Sequence, residues 1–228
     1  MTNEFKIESK ASDIIQPRSS EEAWQAIKEK RDLSGANLKG FDLDDLNATG
    51  AILRKTNLTG ASFTHGLLMN PNFYRSTAHQ ANFQHTVMLN PDLVRADFLE
   101  ADLSDCALVG ADARDVQFVN ANLRNAGLVG GDYTNADFTG ANLTNAWLTG
   151  INVEGADFTG ADTTGAWAYN VDWSTAKVPP TILPAPIIQL PKWAWAALAG
   201  GVLGILGVLI YSISRRQQKL LTDRKSVV

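Results

Sequence analysis

Apolar and polar positions follow one another along this chain with a period of five. Every fifth residue from Leu33 to Trp173 is a centre, and 24 of these 29 centres are Leu, Phe, Met, Val, Tyr or Trp. Two residues before each centre Ala occupies 15 of the 29 positions, and one residue before it Asp or Asn occupies 19 of 29. The register never slips. A period of five matches neither the turn of an amphipathic helix, about 3.6 residues, nor the two-residue alternation of a strand, so the repeat predicts a supersecondary unit stacked on copies of itself. A solenoid filled by rings of Leu and Phe leaves room at its corners only for a small side chain. Ala supplies it, with Cys106, Gly131 and Ser76 standing in. Gly and Asn recur two residues after the centre, as at Gly35, Gly60, Asn120 and Asn125, where a sharp corner needs turn-tolerant residues.

The runs Ala36-Asn37-Leu38-Lys39-Gly40 and Ala136-Asp137-Phe138-Thr139-Gly140-Ala141-Asn142-Leu143 resemble the pentapeptide repeat family, whose motif is A(D/N)LXX. The resemblance covers about three fifths of the chain, residues 32–176. It implies an all-β fold, a right-handed quadrilateral parallel β-helix with four pentapeptides per coil, the centre and the small residue facing inward and the other three outward. The repeats then make about seven coils, and stacking at about 4.8 Å gives a rod roughly 35 Å long. The family's abundance in cyanobacteria points to a bacterial membrane, the thylakoid among them, for an anchored member.

An open solenoid end exposes core and strand edge, and both ends of this one carry candidate covers. Residues 1–18 are polar and unpatterned, with no signal-peptide succession, and read as a flexible N-terminus. Ser19-Ser20-Glu21-Glu22 is a capping box that predicts a short capping helix over 19–31, with Ala23, Ile27 and Trp24 on its inward side. Beyond the repeats, residues 177–192 contain Pro179, Pro180, Pro184, Pro186 and Pro191 and read as a stiff linker. Residues 193–213 then run without a charge, long enough to cross a hydrocarbon core of about 30 Å as one transmembrane helix. Trp193, Trp195 and Tyr211 sit where interfacial aromatics belong, and Arg215 and Arg216 open a basic tail over 214–228. The basic tail favours a cytoplasmic C-terminus, but the long N-terminal part has no signal sequence to carry it across. The expected arrangement is a single-pass tail anchor with the β-helix on the cytosolic side.

Charge follows the same division. Residues 33–173 hold 16 acidic against 7 basic side chains, whereas 174–228 hold 1 acidic against 7 basic. An acidic rod lacks the sign needed to neutralise phosphates, which speaks against nucleic acid as a ligand. It could instead imitate one, since the family includes DNA mimics that bind type II topoisomerases. Catalysis finds no support: no phosphate loop, nucleophile elbow or paired-carboxylate pocket is present, and no cofactor is expected. His65 and His85 are one coil apart and should stack, with no third ligand beside them in the register to make a metal site. Cys106 falls at a small inward position and should be a buried, inert thiol.

Folding the register at 20 residues separates one face from the rest. Its outward positions read Leu67 and Met69, Val87 and Leu89, Ala107 and Val109, Gly127 and Val129, Trp147 and Thr149, Trp167 and Tyr169. A neighbouring column reads Ser62 and Thr64, Asn82 and Gln84, Asp102 and Ser104. An apolar strip sustained through six coils is more than a monomer ordinarily leaves to water, and it predicts a docking face. The expected partner is a protein, either a membrane complex or a second copy, with lipid engaged through the C-terminal helix.

Overall fold

The computed structural model describes residues 15–186. They form one parallel solenoid of about seven coils, preceded by a short helix. Eight strands lie in a single sheet in chain order, each paired in parallel with the next. They are β1 (Asn47–Thr49), β2 (Leu67–Met69), β3 (Val87–Leu89), β4 (Ala107–Asp112), β5 (Gly127–Asp132), β6 (Trp147–Asn152), β7 (Trp167–Tyr169) and β8 (Ala185–Pro186). The other faces are held by isolated parallel bridges such as Asn57↔Thr77 and Asn82↔Asp102. From Asp32 to Asp162 all these partners lie 20 residues apart, so a coil is four pentapeptides.

The interior follows from the repeat. Every centre from Leu33 to Ala168 is buried, as is the small residue two before it at nearly every level. Aromatic centres stack along the axis: Phe98, Phe118, Phe138 and Phe158 succeed one another at 5.4, 5.3 and 4.7 Å between rings. Tyr133 replaces Phe or Leu at one centre, and the Gly two residues before it has no room for a side chain. A Cβ at Gly131 would meet the Ala111 carbonyl oxygen at 2.9 Å and the Tyr133 ring at 3.0 Å. The Tyr133 hydroxyl is buried with no hydrogen-bond partner, and burial pushes its pKa up.

At every fifth position from Gly35 to Asn170 the backbone has a positive φ, including Lys55, His65 and Arg75, so the chain turns a corner there whatever the side chain. From the second coil on, a turn hydrogen bond closes the bend at three corners of each coil, as from Ala61 N–H to the Leu58 carbonyl and from Ala81 N–H to that of Ala78. The fourth corner, after the strand face, carries Pro71 and Pro91, both buried. Proline has no N–H, so it fits the corner where that turn bond is not made.

Asp or Asn before the centre has a structural task. Its Oδ1 accepts the backbone N–H two residues on, at 3.3 Å from Lys39 to Asn37, 2.9 Å from Ser104 to Asp102 and 2.8 Å from Thr139 to Asp137. Where Ser62 replaces it, Asp44 of the preceding coil reaches across to accept from Thr64 N–H at 2.8 Å. The rule is a saturation of backbone donors outside the regular strands.

Both ends are closed by substitutes for a missing coil. Helix α1 (Ser20–Lys28) starts with the Ser19 hydroxyl accepting from Glu22 N–H at 3.2 Å and buries Ala23, Ala26 and Ile27, with Trp24 half-buried. The exposed edge of the first coil receives side chains in place of carbonyls: Asn37 N–H donates to Gln16 Oε1 at 3.0 Å, and Asp42 N–H to Ser20 Oγ at 2.9 Å. The expected flexible segment 1–18 is therefore too long, because Gln16 is bound to the coil and Pro17 is buried.

The expected linker over 177–192 also begins too early. Asp157 bridges to Val178 and Trp167 pairs with Ala185, so residues 177–186 lie on the last coil as its cover. Thr163 Oγ1 donates to the Ile182 carbonyl, Lys177 pairs with Asp157 at 3.0 Å, and the Trp173 ring meets Phe158 edge-on at 5.4 Å. The prolines explain why this cover ends the sheet: Pro186 in β8 offers no N–H to a further strand. The transmembrane helix expected over 193–213 lies outside the described residues. Among those described, no helix is long and apolar enough to cross a membrane.

Candidate docking surface

The fourth face is unlike the other three because its chain runs as regular strand. In a parallel ladder the backbone N–H groups go to the neighbouring strands, so no acceptor side chain is required before the centre. The position is freed for other residues. Two columns result, in register from coil to coil: Leu67, Val87, Ala107, Gly127, Trp147 and Trp167, and beside them Met69, Leu89, Val109, Val129, Thr149 and Tyr169.

The structure brings the predicted docking residues Leu67, Met69, Val87, Leu89, Val109, Val129, Trp147, Trp167 and Tyr169 onto this face but does not expose them equally. Met69, Trp147, Trp167 and Tyr169 are exposed, Trp167 at 43%, and Leu89, Val109 and Val129 are half-buried. Leu67 and Val87 are buried, Val87 to 1%, so neither is open to a partner. At that end the accessible strip is one column wide. In the middle Ala107 and Gly127 add little or no side chain beside half-buried Val109 and Val129. Toward the last coil the strip rises into aromatics, the Trp147 and Trp167 rings stacking at 6.2 Å.

The remaining faces are polar ladders. Asn122 donates to Asp102 at 3.1 Å and Asn142 to Asn122 at 3.3 Å, each one coil on. A second series joins the residue after one centre to the acidic residue before a centre in the next coil, 18 positions later. His79 meets Asp97 at 2.7 Å and Gln84 meets Asp102 at 2.6 Å in this way. The sequence reading passed over these diagonal pairs, although an 18-residue offset would have found them. Burial alone would raise the Asp102 carboxyl, but bonds from Ser104, Gln84 and Asn122 together hold it below its ordinary value. Asp157 is drawn down to about 2 by the Thr159 hydroxyl and N–H and by Lys177.

His65 and His85 stack at 4.9 Å with their rings 3° from parallel. Among the described residues no three His, Cys, Asp or Glu side chains are grouped to hold a metal ion. Cys106 is buried, and burial drives its thiol well above the ordinary range, which leaves little of the reactive thiolate. The predicted interfacial residues Trp193, Trp195, Tyr211, Arg215 and Arg216 lie outside the described residues. The sequence reading missed Ile182 and Leu183, which stand exposed on the closing segment.

Comparison with known proteins agrees with the coil. The family described as pentapeptide repeats (8 copies) matches residues 32–66, and that described as a pentapeptide repeat region matches residues 89–158. The repeat region of this chain belongs to the pentapeptide repeat family. Among solved structures the chain is similar to full-length QnrB1, a plasmid-mediated fluoroquinolone resistance protein, at 16% identity over 71% of this chain and 96% of that one, with a TM-score of 0.39. It is similar also to the pentapeptide repeat protein Rfr23 from the cyanobacterium Cyanothece 51142, at 19% identity over 60% and 90%, TM-score 0.26. A third is HetL, involved in heterocyst differentiation regulation in the cyanobacterium Nostoc sp. strain PCC 7120, at 21% identity over 68% and 90%, TM-score 0.20. No curated protein matches the chain.

Proposed function

We propose that this protein is a non-enzymatic docking subunit, anchored in a membrane by residues 193–213, that binds a protein partner through the fourth face of its β-helix. The observation that carries the reading is the column Met69, Leu89, Val109 and Val129, apolar and in register through four coils, which runs beside the position before the centre that needs no acceptor side chain on this face. The uncharged stretch and its aromatic and basic flanks supply the anchor, with the rod on the cytosolic side of a bacterial membrane.

Replacing Val109 and Val129 together by Lys tests the face. Both side chains point away from the core, so the fold should persist, while two unpaired charges in an apolar contact should weaken binding by roughly a thousandfold. The double variant should remain in membranes and lose the protein that co-elutes from detergent. Val119→Lys with Thr139→Lys, on the opposite face, should keep it. Equal retention by both variants would remove the fourth face as the docking site. Truncation before Trp193 tests the anchor separately, since the closing segment to Pro186 stays intact: the shortened chain should leave carbonate-washed membranes.

A second reading rests on the acidity of the rod, which would let it imitate a nucleic acid before an enzyme such as a type II topoisomerase. Much of that charge is committed to the turns. Asp97, Asp102, Asp137 and Asp157 each accept the N–H two residues on, a task that Asn142 performs without charge. A supercoiling assay with gyrase separates the readings: inhibition at stoichiometric rod would favour mimicry.

A further inference from the structure

We propose that the aromatic end of the fourth face, Trp147, Trp167 and Tyr169, rests in the headgroup layer of the bilayer, so that the rod leans on the membrane instead of standing clear of it. The inference rests on the anchor proposed above and adds the orientation of the rod and a second lipid contact. Of the six large apolar side chains exposed among the described residues, five lie at this end: Trp147, Trp167, Tyr169, Ile182 and Leu183, with Met69 alone elsewhere.

The chain leaves the solenoid at the same place. Pro186 lies in β8, which pairs directly with Trp167 and Ala168 of β7. Only residues 187–192 separate it from the uncharged stretch that begins at Trp193. An extended chain covers about 3.5 Å per residue, so β8 stands no more than about 25 Å from the start of the span. The connection holds the aromatic end within reach of the surface and leaves the helix-capped end remote.

The chemistry of the patch fits that layer. Trp and Tyr rings pair an apolar body with a polar edge and favour the membrane–water boundary. The positions beside them, Asn145, Thr149, Gly150, Gly165 and Asn170, are uncharged, so lowering the patch among headgroups strips no ion of its water. Asp162 and Asp172 in the same coils disfavour an anionic lipid, while Asp157 is balanced by Lys177, which points to a zwitterionic surface.

The test uses the full chain in phosphatidylcholine vesicles, with Trp193→Phe and Trp195→Phe so that fluorescence reports only on Trp24, Trp147, Trp167 and Trp173. Brominated phosphatidylcholine should quench the emission, and Trp147→Phe with Trp167→Phe in the same background should abolish the quenching. Carbonate-resistant protein that brominated lipid does not quench would overturn this inference and leave the anchor standing. Release of the chain by carbonate would overturn both. A concentration-dependent blue shift without lipid quenching would assign the patch to a second copy and overturn the lipid contact.

Discussion

Three faces of the rod and the fourth are built from the same pentapeptide, yet they solve the backbone differently. On three faces the chain bends through closed turns, and at most levels an Asp or Asn accepts the N–H two residues on, as Asn142 does from Thr144 at 3.0 Å. On the fourth, strands such as β4 and β5 pair from Ala107↔Gly127 to Val109↔Val129, and the same position holds Leu, Val, Ala, Gly or Trp from the second coil on. The difference teaches that polarity on this rod is imposed by the backbone wherever turns leave donors open. Where the backbone is satisfied, the surface becomes available for recognition.

The largest expected effect ignores the faces and tests the interior they share. Phe98 is fully buried between aromatic neighbours, so Phe98→Asp should cost about 3 kcal/mol or more, read as a loss of cooperative thermal unfolding or a large fall in Tm. The comparison itself is broken or sharpened by Asn142→Ala against Val109→Ala. Loss of the acceptor should cost about 1 kcal/mol in denaturant unfolding, whereas half-buried Val109 should lose less. Equal costs would mean that the Asp/Asn position is not held by backbone demand.

A pH series probes the same acceptors at the closing coil. The Asp157 carboxyl lies lower in the folded chain than in the unfolded one, where it sits near about 3.9. Its contribution is therefore present above about pH 4 and lost as pH falls toward 2. Asp157→Ala should flatten the acid limb of a Tm-against-pH curve and leave the neutral plateau lower; an unchanged limb would count against it. The smallest effect is expected at Tyr133. Its buried hydroxyl has no partner, so Tyr133→Phe removes a desolvated group at no loss of hydrogen bonding and should leave Tm unchanged or slightly raised.

The coil was legible because its signal is redundant: burial of every centre from Leu33 to Ala168 rests on many repeats of one rule, and no single residue could obscure it. The two columns of the fourth face were legible for the same reason. Their exposure was not, since a register assigns direction without saying what lies over a side chain, and Leu67 and Val87 are buried. The C-terminal cover was hidden by its own register. Asp157 pairs with Val178, 21 residues on, and Trp167 with Ala185, 18 on, so the period of five dissolves while the stacking continues. Five prolines then resembled a linker. The acceptor role of Asp32, Asn37 and Asp42 was visible as composition only, because a hydrogen bond two residues long leaves no mark on hydrophobic periodicity.

The fixed 20-residue spacing of partners also makes this architecture a ruler whose length can change without redesign. Duplicating one coil, for instance residues 107–126, would add about 4.8 Å and return every later side chain to its own face. Inserting a single pentapeptide would turn everything beyond it by a quarter and move Trp147 and Trp167 off the fourth face. Evolution of such a chain should therefore proceed by gain and loss of whole coils, with the distance between its two caps varying in steps while the sidedness of the rod is inherited intact.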